Sequence, residues 1–370
     1  MKQLKLGMVG SGDISNRFFE QAAKLDNVTF VATCARRLEN AKIKAETYKI
    51  ARWYDDYIQM MDNEELDAVV VTTPHSVHAE VVLAALERGL HVLNEKPMAT
   101  SFDDCKKMVE LAERNNKIFM SLPYDLNPAF TTALEYIKEE VIGKITGAEA
   151  QLNIPGPGRD NWYYNREISH GGAILDCMVY PISRLISLLG PAKSVTAEVN
   201  TLIPNRIVRG GKEIHSDVDD NVTVIVEFAG GQHAVFRTLW ATSFNQNNTI
   251  IYGRKGTVAI NDCGLPLVVH SPNAPIPDAE EVTWRGVKEC YLPKLLPSAS
   301  SEQDIMSHFV HCLRTGEQPK QSGRLQLHVH EIMFAAYKSA ETGQRCMLTT
   351  TFEPWHKLDT GIFDTKSQFI

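Results

Sequence analysis

Short apolar runs alternate with amphipathic stretches over the first ~120 residues of the chain. The apolar runs lie at residues 4–9, 30–34, 68–73, 91–93 and 118–122. Between the third and fourth runs, Val77, Val81 and Ala85 recur at the spacing of one helix face. Strands that are apolar on both sides are typical of a parallel sheet covered by helices. We therefore predict an α/β domain, a parallel sheet wrapped by helices, at the start of the chain.

The period of the pattern changes after Pro123, where we place a domain boundary between residues 1–123 and 124–370. A helix is predicted at residues 128–141, and alternating strand patterns then dominate. Strands are expected at residues 194–202, 222–228, 232–240, 249–252, 257–260 and 265–270. Long helical stretches begin at Gly172, Glu302 and Leu325. The second half is therefore predicted as an α+β domain, with an open-faced, mainly antiparallel sheet that these helices cover on one side.

Composition narrows the class of protein. The 370 residues are 44% hydrophobic and carry a net charge of −7, which excludes a disordered chain and argues against nucleic acid as a partner. No apolar stretch approaches the ~18 residues that span a bilayer, and the N-terminus has no signal-peptide pattern, so no membrane partner is expected. The 7 cysteines are scattered without a Cys-x-x-Cys, as in reduced cytoplasmic proteins.

A metal centre is not expected either. The 12 histidines include two close pairs, His308 with His311 and His328 with His330. No cysteine or acidic residue completes a ligand set at a recognisable spacing. We interpret these four histidines as ordinary helix residues.

Residues 10–15, Gly-Ser-Gly-Asp-Ile-Ser, follow the first predicted strand and open a helix. Gly10 suits a tight turn, and Gly12 allows the backbone to approach a pyrophosphate that binds the amides at the helix start. The third position needs a small side chain, and Ser15 provides one. We predict a dinucleotide site here, although a glycine-rich turn without a ligand gives the same pattern.

The end of the second strand bears on the choice of cofactor. A carboxylate that reads the ribose of NAD is expected ~20 residues after the glycines. Arg36 and Arg37 stand there instead, and a guanidinium binds phosphate in a bidentate fork. This favours NADP(H) over NAD(H), the alternative being that both arginines stack on adenine or face solvent.

Polar residues follow the third and fourth strands, at the edge of the sheet where ligands bind. Thr73, Pro74, His75 and His78 come after the third strand, and Glu95-Lys96-Pro97 comes after the fourth. A Lys-Pro step cannot continue a strand ladder. The alternative to a functional lysine is a solvated loop residue beside a turn proline.

A second polar group lies on the helix predicted from Gly172 to Leu189. Asp176 and Tyr180 are four residues apart, so their side chains face the same space. A carboxylate on so apolar a helix is rarely buried without a partner, which could also be a structural arginine. Pro181 is expected to kink the helix beside Tyr180.

Together these motifs resemble the glucose–fructose oxidoreductase, inositol dehydrogenase and rhizopine catabolism (Gfo/Idh/MocA) family over nearly the whole chain. The resemblance implies an N-terminal Rossmann domain that binds NAD(P) and a C-terminal open-faced sheet that builds the substrate pocket. It also implies hydride transfer between NAD(P) and a hydroxyl or ketone of a sugar, glycoside or polyol. It implies catalytic roles for Lys96, Tyr180 and Asp176, with Lys96 touching the nicotinamide ribose and the substrate hydroxyl. The residues expected to bind the cofactor are Gly10, Gly12, Asp13, Ile14, Arg36, Arg37, Thr73, Pro74, His75, His78, Glu95, Lys96 and Trp162.

Several positions depart from the commonest family pattern. Tyr180 stands where His is commoner, which resembles the glucose–fructose oxidoreductase, dihydrodiol dehydrogenase and deoxysugar ketoreductase branches. A tyrosine needs a nearby cation to act as a base near neutral pH, and Lys96 is expected to supply it. Trp162-Tyr163 replaces a common Trp-Arg, and the arginine common after the fifth strand is missing. The loop aromatics Trp162, Tyr163 and Tyr164 either stack on a sugar or nicotinamide or pack on the sheet edge.

Two other functions stay open from the sequence. The first is a glycosidase or lyase, because the same fold hosts enzymes that oxidise a sugar transiently with a cofactor that stays bound. The second is a nucleotide-binding subunit without catalytic activity. The mixed face that Thr223, Ile225 and Glu227 present is a natural dimer surface. We therefore expect a homodimer or a tetramer built from such dimers.

Overall fold

The computed structural model describes residues 2–124, 127–158, 162–273, 275–298 and 303–356. Strands and helices alternate up to residue 121, as the hydrophobic pattern predicts. In chain order these elements are β1 (Leu4–Val9), α1 (Asp13–Ala22), β2 (Val28–Cys34), α2 (Leu38–Tyr48), β3 (Arg52–Tyr54), α3 (Tyr57–Asn63), β4 (Ala68–Val71), α4 (His78–Glu87), β5 (His91–Asn94), α5 (Phe102–Arg114) and β6 (Phe119–Ser121).

Strands dominate the middle of the chain. The elements there are α6 (Pro128–Lys138), β7 (Ile145–Asn153), α7 (Arg166–Ser169), α8 (Val179–Leu189), β8 (Ala192–Asn200), β9 (Asn205–Val208), β10 (Lys212–His215), β11 (Asn221–Phe228), β12 (His233–Leu239), β13 (Gln246–Gly253), β14 (Thr257–Asp262), β15 (Leu265–His270), β16 (Glu280–Trp284) and β17 (Val287–Leu292). They are followed by α9 (Ile305–Thr315), α10 (Gly323–Thr342) and β18 (Cys346–Met347).

The first sheet has six strands in the order β3-β2-β1-β4-β5-β6, all parallel. The strand order reverses direction between β1 and β4, where ligands bind in folds of this kind. The predicted α/β Rossmann class is therefore confirmed. The three-residue strand β3 was not predicted, because so short a run has no measurable period.

The second sheet has ten strands in the order β16-β17-β15-β14-β13-β7-β12-β11-β8-β18. Of its pairs, β7 with β12 is parallel and the others between described residues are antiparallel. This confirms the predicted open, mainly antiparallel sheet. In β11 the residues Val222, Val224 and Val226 are fully buried, while Ile225 on the opposite face is 44% exposed.

The chain divides into two compact units that alternate along the sequence. The first contains the described residues up to 124 together with 303–330, and the second contains those between 127 and 298 together with 331–356. Helix α9 packs in the first unit, where Ile305 and Phe309 join the core cluster of Leu6 and Phe18. The prediction that the helix beginning near Glu302 covers the second sheet is therefore wrong, because an apolar stripe on a helix does not specify which sheet it will cover.

One helical segment among the described residues, Arg166–Leu189, is long and apolar enough to cross a bilayer by length and composition. In its most apolar window 94% is buried within the structure, as in a core helix. The sequence-based statement that no apolar stretch approaches that length is therefore too strict. Isolated polar residues such as Asp176 and Arg184 interrupt this segment, but its mean hydropathy stays high enough for a membrane span.

Candidate functional site

The glycine-rich turn after β1 has the geometry of a phosphate cradle. Gly10 has φ +112°, and a Cβ there would lie 2.6 Å from the backbone of Thr72, so only glycine fits. A Cβ on Gly12 would meet nothing within 4 Å among the described residues, which leaves the start of α1 open to an anion. Ser15 is buried and donates to Gly12 O at 2.7 Å, so a small third residue is required here.

Exposed residues surround this turn. Asp13 and Ile14 occupy the first turn of α1, and Ile14 is 42% exposed. Arg36 and Arg37 follow β2 after Ala35, both exposed, with Arg37 at the N-cap of α2. The predicted pyrophosphate and ribose positions thus lie at neighbouring strand ends of one sheet.

Buried polar atoms without a partner mark the ends of the next three strands. Thr73 Oγ1, Asn94 Oδ1 and Ser121 Oγ follow or end β4, β5 and β6, and each lacks a hydrogen bond to any described residue. A buried unsatisfied polar atom costs about 1–3 kcal/mol. The amide and hydroxyl groups of a nicotinamide riboside are of the kind that would satisfy them. Together with the glycine turn, these atoms fit a dinucleotide.

The lysine motif follows β5. Glu95 is buried, and its carboxylate accepts the backbone N–H of Lys96 at 3.0 Å. The Lys96 side chain is half-buried. After β4, Pro74 is exposed, whereas His75 and His78 are buried at 2% and 0%. The cofactor contacts proposed for these two histidines stay predictions.

In the second unit, a buried carboxylate holds the segment that carries the other candidate catalytic residues. Asp219 accepts Gly172 N–H at 2.8 Å and Ile174 N–H at 2.9 Å, and Tyr337 donates its hydroxyl to it at 2.6 Å. Burial and the charge of Asp219 raise the pKa of Tyr337 well above its usual value. A Cβ on Gly171 would lie 2.3 Å from that hydroxyl, which explains the small residue there.

The helix that begins at this cap is irregular where Asp176 lies. Ile174–Met178 forms a π-helical turn, and α8 continues from Val179. Single π-turns inside helices often occur at functional sites. The π-helical turn ends two residues before Tyr180, and the kink expected at Pro181 stays a prediction. Pro181 is the third residue of α8 and has no N–H to donate to the preceding turn.

Two residues that sequence reasoning missed support Asp176, Cys177 by direct contact and Trp240 through Cys177. Trp240 donates its indole N–H to Cys177 Sγ at 3.2 Å, and Cys177 donates to the Asp176 carboxylate at 3.5 Å. Asp176 is 8% exposed, and Tyr180 is half-buried. Trp240 is more than sixty residues from Cys177 along the chain. No local pattern in the sequence pairs them.

The aromatic loop divides between core and surface. Tyr164 is buried, and its ring meets Trp240 edge to face at 5.9 Å with the Arg206 guanidinium 5.7 Å away. Tyr164 is therefore a packing residue rather than a sugar-stacking one. Trp162 and Tyr163 are half-buried and stack on each other at 4.0 Å. The loop's residues 159–161 lie outside the described part of the chain.

The histidine pairs separate in the structure. His308 stacks on Tyr124 at 4.9 Å and accepts Lys320 N–H, whereas His311 contacts Glu317. Within the described ranges no three His, Cys, Asp or Glu residues lie together as a metal site would require. The expectation that this chain holds no metal stays a prediction.

Comparisons with known proteins agree with this architecture. A family model described as an oxidoreductase family with an NAD-binding Rossmann fold matches residues 4–122. The model of the GFO/IDH/MocA C-terminal domain matches residues 130–259. A solved structure of levoglucosan dehydrogenase in complex with NADH and levoglucosan has a TM-score of 0.80 at 22% identity, covering 94% of this chain and 99% of that one. At that identity the match shows the shared fold.

Three curated relatives cover most of the chain. Levoglucosan dehydrogenase of Pseudarthrobacter phenanthrenivorans is 27% identical over 70% of this chain and 74% of its own length. Trans-1,2-dihydrobenzene-1,2-diol dehydrogenase of Xenopus laevis is 28% identical over 76% of this chain and 80% of its own. The scyllo-inositol 2-dehydrogenase (NADP+) of Bacillus subtilis is 25% identical over 71% of this chain and 77% of its own.

Proposed function

Because the chain belongs to the Gfo/Idh/MocA family of NAD(P)-dependent dehydrogenases, we propose that its substrate is a sugar, glycoside or polyol, oxidised or reduced at a hydroxyl or ketone. The observation that carries this proposal is the capped, π-turn helix that presents a nearly buried Asp176 beside Tyr180. A carboxylate accepts hydrogen bonds from neighbouring sugar hydroxyls and fixes their orientation. The bound nicotinamide would supply or accept the hydride.

We assign Tyr180 the role of general acid and base on the substrate oxygen. A tyrosine has an unperturbed pKa of about 10, so a cation must favour the tyrosinate for base catalysis at neutral pH. Lys96 is the proposed cation, and Asp176 the proposed positioning group. The dihydrodiol dehydrogenase relative supports placing this chain in a branch with tyrosine at that position.

Replacing Tyr180 by Phe tests this assignment. The variant should lose about 10²- to 10⁴-fold in kcat, the usual contribution of general acid–base catalysis. Tyr136→Phe is the matched control, because it removes a phenol hydroxyl from helix α6 instead. Turnover is followed by nicotinamide absorbance against a panel of sugars, glycosides, polyols and ketosugars. Normal activity of Tyr180→Phe on a substrate that the parent enzyme uses would show the assignment to be wrong.

We further propose that NADP(H) is preferred, because Arg36 and Arg37 are both exposed where a 2′-phosphate would lie. One relative is named for NADP+, which supports the preference, whereas another was solved with NADH. Fluorescence titration with NADPH and NADH decides between them, and the double variant Arg36→Ala, Arg37→Ala should weaken NADPH binding selectively. Clearly tighter binding of NADH by the unmodified protein contradicts this proposal.

The exposed face of the large sheet is proposed as a homodimer surface. Ile225 and Val235 are cross-strand partners in β11 and β12, and they are 44% and 40% exposed. Paired apolar residues on a broad sheet face suit an isologous contact. Light scattering should give a mass of two or four chains at micromolar concentration, and Ile225→Asp should lower it. A mass near that of one 41.4 kDa chain contradicts the proposal.

A further inference from the structure

One peptide group in the first unit is held from both sides by buried histidines. The Pro97 carbonyl oxygen lies 2.7 Å from His78 Nδ1, and the Met98 N–H donates to His330 Nε2 at 2.7 Å. The carbonyl of residue 97 and the N–H of residue 98 belong to the same planar unit. Both rings are fully buried. This peptide comes directly after the Lys96–Pro97 step.

The neighbours of His330 fix its protonation. His330 Nδ1 lies 2.6 Å from the carbonyl oxygen of Gln326, which can only accept, so Nδ1 carries the proton and Nε2 is left with a lone pair for Met98. Burial lowers the pKa of His330 to about 4. The ring is therefore a neutral acceptor throughout the neutral range.

His78 contacts two carbonyl oxygens, Pro97 O through Nδ1 and Thr73 O through Nε2 at 2.9 Å. Burial lowers the pKa of His78, which favours a neutral ring with a single N–H. A ring with one N–H donates to one of these two carbonyl oxygens, and the shorter of the two contacts is the one to Pro97 O. The Asn94 side-chain amide makes a third hydrogen bond to this segment, donating to Met98 O at 3.0 Å.

We propose that His78 and His330 are positioning residues that clamp the 97–98 peptide and thereby set the position of Lys96. The inference rests on the proposed function, in which Lys96 acts on the substrate. His330 lies 232 residues from Met98 along the chain, so this clamp is a tertiary device. It gives His330 a specific task, in place of the ordinary helix residue inferred from the sequence.

Paired variants separate hydrogen bonding from packing. His330→Leu leaves the Met98 N–H without an acceptor, whereas His330→Gln places an amide oxygen near the position of Nε2. His78→Leu and His78→Asn form the corresponding pair for the donor to Pro97 O. Misplacing a catalytic group by ~1 Å can cost about 10²-fold in rate. We expect each Leu variant to lower kcat about 10- to 100-fold with a smaller change in KM, and each amide variant to recover most of that loss.

His91→Leu is the matched control. His91 Nδ1 also accepts a backbone N–H, that of Ile118 at 2.8 Å, but at the start of β5 instead of its end. This variant should lower the melting temperature while kcat stays at the parent value. Circular dichroism and melting temperature report folding for every variant. Where a Leu variant does not fold, the amide variant of the same histidine carries the test. A folded amide variant with a kcat near the parent value supports the clamp, and one whose kcat falls about 10-fold or more contradicts it.

Lys96→Met distinguishes failure of this inference from failure of the proposed function. If Lys96→Met keeps its activity, the proposed catalytic role of Lys96 is wrong and the clamp has no catalytic purpose. Suppose instead that Lys96→Met is inactive. The clamp alone is then refuted if His330→Leu and His330→Gln both keep the parent kcat, or if the two variants lose the same fraction of kcat. Loss in the Leu variants, recovery in the amide variants and an unchanged kcat in His91→Leu together support it.

Discussion

The protonation of His330 gives a stability change with pH that can be calculated. Burial lowers the pKa of this histidine from 6.5 to about 4. As the pH falls, the unfolded chain binds a proton first, so the folded state is fully favoured above the unfolded pKa and loses that advantage as the pH falls toward 4. Each factor of ten in proton affinity is about 1.4 kcal/mol, so the complete effect is about 3 kcal/mol.

About 2 kcal/mol of this effect falls between about pH 7.5 and about pH 5. Urea denaturation of the whole chain, followed by far-UV circular dichroism at these two pH values, gives the loss for the unmodified protein. In His330→Gln the titrating ring is absent, so the loss over the same interval should be smaller by about 2 kcal/mol.

Val329→Ala is the control for packing alone. Val329 is fully buried beside His330 in α10 and carries no titratable group, so its truncation should lower the free energy of unfolding equally at both pH values. An unchanged pH dependence in His330→Gln would refute the reasoning, because it would mean that the ring is not a buried neutral acceptor. The clamp on the 97–98 peptide would then lose its basis.

Three further predictions concern the elements that position the site. Tyr337→Phe removes the hydroxyl that donates to Asp219 at 2.6 Å. We expect the free energy of unfolding, measured by urea denaturation, to fall by about 2 kcal/mol. A fall below ~0.5 kcal/mol would contradict this prediction. Gly172→Ala should cost about 3 kcal/mol or more, because its Cβ would lie 2.1 Å from Asp219 O. Gly12→Ala should instead keep the parent melting temperature but weaken dinucleotide binding by about tenfold or more in fluorescence titration, since its Cβ enters open space at the phosphate cradle. Equal loss of stability in the two glycine variants would contradict the last two predictions.

Local signals in the sequence carried the fold class and the glycine-rich turn after β1. The strand–glycine–helix pattern predicted the turn between β1 and α1 that contains Gly10 and Gly12, because turn geometry and helix starts depend on neighbouring residues. The alternation of Val222, Val224 and Val226 identified the buried face of β11 for the same reason.

Contacts between distant segments decided the rest. Asp219 caps a helix start 47 residues earlier, and Trp240 supports Cys177 beside Asp176. The sequence contains these residues but no pattern that pairs them, because such hydrogen bonds depend on how strands and helices are brought together.

The helices of the C-terminal third show the same division. Their helical spacing was visible in the sequence, which by itself determined that both segments are helices. Only the tertiary structure decided that α9 packs with the first unit, and that His330 of α10 accepts the Met98 N–H. The physical reason is that hydrophobic burial is non-directional: a stripe of apolar residues is satisfied by any apolar surface, whereas a hydrogen bond requires one partner at one distance.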